Sequence, residues 1–162
     1  MLELLVPLEE ATLVISAFLG GTVLARAGLS LPAVSGQEPV RLMRAGLALV
    51  LLGSLAVWAS TSFSLSVVGF LAIGLGSGVQ FPLGVTLTMD TAVLQPQLAS
   101  SRLVLATGLG ILALPMILGV LAEASGVSVA WLLVPLICLA ALALTIPVGR
   151  DRQAKSAEAV PA

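Results

Sequence analysis

The chain has 162 residues, 59% of them hydrophobic and 9% charged, with a mean hydropathy of +1.16. Soluble domains are nearer 45–50% apolar and roughly 25% charged, and seven basic plus eight acidic residues cannot coat a water-facing surface on a chain of this length. A soluble enzyme, a nucleic-acid binder and a disordered segment are excluded, which leaves an integral membrane protein with several spans. The net charge of −1 points to no charged partner.

Residue types narrow the chemistry further. Histidine is absent, so no imidazole serves as metal ligand, proton relay or base. Tyrosine is absent too, and the one cysteine, Cys138, lies in an apolar run. One thiol makes no internal disulfide and no thiolate cluster; a buried, inert thiol is expected. The opening stretch MLELLVPLEEAT carries Glu3, Glu9 and Glu10 and no basic residue before Arg26. A secretory signal needs a basic leading region, so none is expected.

Charges punctuate the chain. Fifteen uncharged residues separate Glu10 from Arg26, 45 separate Arg44 from Asp90, 20 separate Arg102 from Glu123 and 26 separate Glu123 from Arg150. A membrane helix needs about 20 apolar residues. The run after Arg44 is right for two helices, divided at Ser60-Thr61-Ser62 between Trp58 and Phe63. Arg26 can snorkel from the end of the first run. Five spans follow: residues 8–28, 42–59, 63–88, 101–122 and 127–148. They make one membrane domain over 1–150, with 151–162 a disordered cytoplasmic tail. The runs are continuously apolar, without the alternation of a membrane β-barrel, so the fold class is all-α: a polytopic helix bundle. Pro32, Gly36, Pro39 and Pro96 mark the connections.

With five spans, all seven basic residues fall on one face: Arg26, Arg41, Arg44, Arg102, Arg150, Arg152 and Lys155. Glu3, Glu9, Glu10 and Glu123 fall on the other. The positive-inside rule then sets the amino terminus outside and the carboxyl terminus in the cytoplasm of a plasma or inner membrane. Trp58 and Trp131 are expected as anchors at the outer interface.

The spans differ in character. The second and fifth are greasy and expected to face lipid. The third carries Gly74 and Gly78, a pair of small residues four apart that lets helix backbones approach. Ser16 and Gly20 have that spacing in the first span, and the fourth holds Thr107, Gly108, Gly110 and Gly119. Spans one, three and four are therefore expected against protein or along a cavity, with Gly74, Gly78, Gly108 and Gly110 as packing positions. Pro82, Pro115 and Pro135 sit inside spans, either as hinges or as ordinary packing irregularities. Gln80 is a strongly polar side chain deep in a span, and lipid satisfies none of its amide groups. It meets either a partner helix or a solute. Ser77, Thr86 and Thr107 join it as candidates for lining a solute cavity. Asp90 and Arg102 bracket one connection, either paired or separately solvated.

Three stretches resemble the Major Facilitator Superfamily. Gly21-Thr-Val-Leu-Ala-Arg26-Ala-Gly28 is similar to the signature G-x-x-x-D-R-x-G, with Ala25 in place of the acid. Gly74-Leu-Gly76-Ser-Gly78-Val-Gln-Phe-Pro82 resembles the tenth helix of that family. Gly108-Leu-Gly110 with Pro115, then Gly119-Val-Leu-Ala-Glu123-Ala-Ser-Gly126, resembles the end of the eleventh. The resemblance implies helices eight to twelve of a twelve-helix carrier, with nine and twelve facing lipid and the others lining a central cavity. It gives Gly21, Arg26 and Gly28 roles in a conformational loop motif, and Asp90 and Arg102, which bracket the next connection on that face, join them as loop candidates.

Five helices are one wall of such a carrier. The chain is then a fragment, a mis-started frame or one part of a split transporter, partnered by the missing half or by copies of itself. The expected function is secondary transport of a small solute. The alternative is a non-transporting membrane interaction or assembly protein. No catalytic pair, phosphate loop, metal motif or cofactor site is present in the sequence, so no enzyme is expected. Without a mid-membrane countercharge, neutral or apolar solutes are favoured.

Overall fold

Apolar runs of this length, in a solvent that satisfies no backbone polar group, must close their hydrogen bonds within each segment. A computed structural model describes residues 8–92 and 95–158. Glu3 and the last four residues of the expected tail lie outside them. In chain order the helices are α1 (Leu8–Leu29), a single turn α2 (Pro32–Ser35), α3 (Pro39–Ala59), α4 (Phe63–Thr91), α5 (Pro96–Ser125), α6 (Val127–Trp131) and α7 (Leu133–Glu158), with no strand among the described residues. Five segments are long and apolar enough to cross a membrane. At 1.5 Å per residue, the 21 residues of α3 cover about 31 Å, the thickness of a hydrocarbon core.

Local chemistry sets the helix ends. Proline opens α2, α3 and α5, because the first helical position needs no N–H donor and suits its fixed φ. Hence α3 and α5 begin at Pro39 and Pro96, ahead of the expected Leu42 and Ser101. The turn between α3 and α4 is built from serines. The Ser62 hydroxyl accepts from the Leu65 amide at 3.4 Å as an N-cap, and the Ser60 hydroxyl donates to the Ser62 carbonyl at 2.8 Å. Gly126, at φ 86°, closes α5 in a backbone region open to glycine. At the other end of the chain, α7 runs on to Glu158 through RDRQAKSAE, where a tail was expected. Ala, Arg, Gln, Lys and Glu are all good helix formers.

The fifth span is one membrane-length segment, Val127–Pro147, interrupted at a single turn residue, Leu132. Pro135 has no N–H for the carbonyl of Trp131, and its ring crowds that carbonyl. The helix stops at Trp131 and restarts at Leu133. Pro82 and Pro115, by contrast, lie within continuous helices.

The central element is α4, with α1 packed on one side and α3 on the other. α7 packs against α3, and α5 only lightly on α4. The residues at the α4 crossings are small. A Cβ added at Gly74 would overlap the Phe18 carbonyl, and one at Gly78 would lie 2.8 Å from the Thr22 carbonyl and 2.9 Å from Ala25 Cβ. A Cβ on Gly21 would stand 2.5 Å from the Leu71 carbonyl oxygen. On the other face, Gly76 meets the Gly46 carbonyl, while a Cβ on Gly53 would stand 2.7 Å from the Gly69 carbonyl. Two close contacts seven residues apart on each antiparallel helix keep one seam facing its partner.

This arrangement corrects two expectations. α3 is not simply a lipid-facing helix: Val40, Gly46, Leu47, Val50, Gly53 and Ser54 are buried. The small pair on α1 is also displaced. Gly20 meets nothing within 4 Å, and Gly21 and Ala25 make the approach to α4 instead. Successive helical residues are rotated by about 100°, so a shift of one residue changes the face.

The two tryptophans bind the helices together at the serine-turn end. Trp131 Nε1 donates to the Ser54 carbonyl at 3.0 Å, and its ring lies 5.7 Å from that of Phe70. Trp58 Nε1 donates to the Ser128 carbonyl at 3.1 Å. Trp131 thus joins α3, α4 and the α6–α7 break, a tertiary role beyond that of an interface anchor.

Candidate functional site

A hydroxyl within a membrane helix finds its nearest acceptor one turn back on its own backbone. The hydroxyls expected along a cavity do so. Ser77 donates to the Gly74 carbonyl at 3.2 Å, Thr86 to Pro82 at 3.1 Å and Thr107 to Leu103 at 2.8 Å. They do not converge on a point: Thr86 is exposed on α4, and Ser77 and Thr107 are half-buried on different helices.

Gln80 differs from all of these. It is half-buried, and its Nε2 is buried with no hydrogen-bond partner among the described residues. That nitrogen is 3.1 Å from where a Cβ on Gly46 would stand, so the amide lies against the α3 backbone at the glycine crossing. An unsatisfied buried donor costs about 1–3 kcal/mol. The packing partner is a helix, but the helix supplies no acceptor.

Of the conformational-motif residues, Arg26, Gly28, Asp90 and Arg102 lie toward the end opposite the serine turn, and Gly21 sits midway, against Leu71, Gly74 and Leu75. Gly21 is buried in the α1–α4 contact, whereas Gly28 meets nothing within 4 Å. Arg26 is exposed in the last turn of α1, where a cation offsets the negative end of the helix dipole. Ala25, at the acidic position of the signature, lies against Gly78, so a small residue there serves the helix contact. Asp90 and Arg102 are both exposed. A short ion pair at this end joins Arg41 to Glu38 at 3.1 Å.

The packing candidates divide. Gly74 and Gly78 are at the α1 crossing, whereas Gly108 and Gly110 meet nothing within 4 Å. No residue of α5 is buried, so its glycines present an open surface.

Sequence reasoning missed two features. One is the seam of Gly46, Gly53, Gly69 and Gly76, visible as two glycine pairs each seven residues apart. The other is Arg44, whose Nε donates to Thr145 Oγ1 at 3.1 Å and whose Nη2 donates to the Thr145 carbonyl at 2.7 Å, across 101 positions of sequence. No sequence signal marks that pairing.

The family model described as the Major Facilitator Superfamily matches residues 3–162, nearly the whole chain. Comparison with curated proteins and with solved structures gave no match. The five membrane-length helices, their glycine crossings and the match over 3–162 agree, and the chain belongs to the Major Facilitator Superfamily, a family of membrane transporters.

Proposed function

We propose that the chain forms one wall of a secondary carrier, its five spans corresponding to helices eight to twelve, and moves a small neutral or apolar solute together with a further set of helices. The observation that carries the reading is the family match over residues 3–162. The fully unburied α5 supports it: Gly108, Gly110 and Gly119 expose small surfaces suited to another helix or to a passage. Alternating access requires two bodies that rock around a shared site, and five helices are one body. Thr86 and Thr107 are the hydroxyls we assign to the solute path, with Ser77 and Gln80 behind them.

Uptake assays in proteoliposomes test this reading. The chain alone is expected to give no saturable uptake of small neutral solutes, and uptake is expected once it is co-reconstituted with the complementary helices of a facilitator. Uptake by the chain alone would overturn the one-wall reading.

Gln80→Met removes the idle amide while keeping the side-chain length. It is expected to leave thermal stability unchanged or raised by about 1 kcal/mol. A carrier containing Gln80→Met is expected to retain its fold but lose transport rate. A melting point below wild type would show that the amide is needed for packing.

The proposed orientation places the amino terminus outside. After Cys138→Ser, single cysteines at Thr61 and Pro32 are expected to react with a membrane-impermeant maleimide from opposite sides, Thr61 from outside. Labelling of both from one side would remove the five-span topology.

A further inference from the structure

At the arginine-bearing end, α3, α4, α5 and α7 enclose a cleft of about 470 Å³ with mostly apolar walls, among them Val40, Met43, Leu87, Leu103 and Leu144. Gly84 also lines it, and a Cβ there would meet nothing within 4 Å, so the missing side chain leaves the cleft its width. Thr145 forms part of the same wall and holds the Arg44 guanidinium at its edge.

Arg44 is a cation held by neutral oxygens. Two of its nitrogens are used by Thr145, and among the described residues it has no carboxylate within 4.0 Å. Among the described residues Nη1 has no acceptor, and it is not buried. Arg44 is five residues into α3, about 7.5 Å along the helix from its start. A long arginine side chain that close to a helix end reaches the head-group level, where a lipid phosphate is an available anionic acceptor. Arg102, exposed beside Leu103, adds a second cation at the same end.

We propose that this cleft is a site for an anionic phospholipid of the adjacent leaflet, with an acyl chain between α4 and α7 and the phosphate on Arg44. The charge complementarity selects the occupant. A guanidinium with free donors matches phosphate oxygens in geometry as well as sign, and basic pockets between membrane helices hold anionic head groups. The apolar walls take the chain that a free phosphate lacks. The site depends on the membrane-spanning fold and not on the transport reading, so it stands or falls separately from uptake.

Native mass spectrometry of the full chain in detergent, with equal amounts of dioleoyl phosphatidylglycerol and dioleoyl phosphatidylcholine added, provides the test. Wild type is expected to retain one phosphatidylglycerol about fivefold more than phosphatidylcholine, the effect of about one arginine at a membrane surface. Arg44→Gln is expected to abolish that preference, and Arg44→Lys to keep most of it. Gly84→Leu fills the cleft without touching the arginine and is expected to reduce retention of both lipids, with the helical spectrum unchanged. Equal retention of the two lipids by wild type would overturn the proposal. So would an undiminished preference in Arg44→Gln, or undiminished lipid binding in Gly84→Leu. If Arg44→Gln fails to fold, the Gly84→Leu and Arg44→Lys results decide alone.

Discussion

Gly76→Leu is expected to separate α3 from α4 and cost the bundle about 3 kcal/mol or more, the upper end for overpacking a close contact. A Cβ at Gly76 already overlaps the Gly46 carbonyl, and it would stand 2.9 Å from the Val50 amide nitrogen. Both are backbone atoms, and neither can swing aside as a flexible side chain does. The damage extends beyond one contact. α4 is shared by α1 and α3, so displacing α3 also disturbs the seat of Trp131 against Ser54 and Phe70. Thermal melting in detergent, followed by tryptophan fluorescence, reads the effect. Gly108→Ala and Gly110→Ala are the matched controls. Each faces open space, and each is expected to leave stability unchanged or raise it by up to about 1 kcal/mol, the helix-propensity gain of alanine over glycine. A Gly76→Leu protein melting with the wild type would show that the glycine seam does not hold the bundle.

Trp131 carries the second large effect. Trp131→Ala is expected to cost about 3 kcal/mol, the low end for removing a large ring, because the side chain is only half-buried. It removes both the Phe70 ring contact and the hydrogen bond to Ser54. Trp131→Phe keeps a ring near Phe70 but loses the 3.0 Å bond to the Ser54 carbonyl. Its expected cost is about 1 kcal/mol, the usual net value of one neutral hydrogen bond. The two variants therefore separate the ring from its N–H. Melts are followed by circular dichroism, since one of the two tryptophan fluorophores is removed. Equal losses for both variants would mean that the hydrogen bond, and not ring packing, fixes α6 and α7 to α3.

Much of the candidate site could be read one residue at a time and little of it as a constellation. Gln80 stands out in the sequence because an amide deep in an apolar run has no solvent partner. The structure adds which neighbour it meets, the α3 backbone at Gly46, and that this neighbour offers no acceptor. Ser77, Thr86 and Thr107 were chosen as polar side chains in spans. Each hydroxyl is satisfied by its own helix, a local option that composition does not reveal. The Arg44–Thr145 link joins positions 101 apart, and only the placement of α7 beside α3 makes it visible.

By itself the sequence determined the solvent and the number of membrane-length spans. Hydrocarbon demands apolar runs of about 20 residues with internally closed backbones, and charges and serines divide this chain into five. Prolines and glycines gave the local punctuation, because a missing N–H or a positive φ acts within one turn of chain. Which faces meet was decided by the tertiary structure alone. In lipid the helix surfaces are all comparably apolar, so pairing rests on how closely two backbones approach. That distance depends on both helices at once, which is why α3 proved to be a buried partner of α4 and Gly21 took the place expected for Gly20.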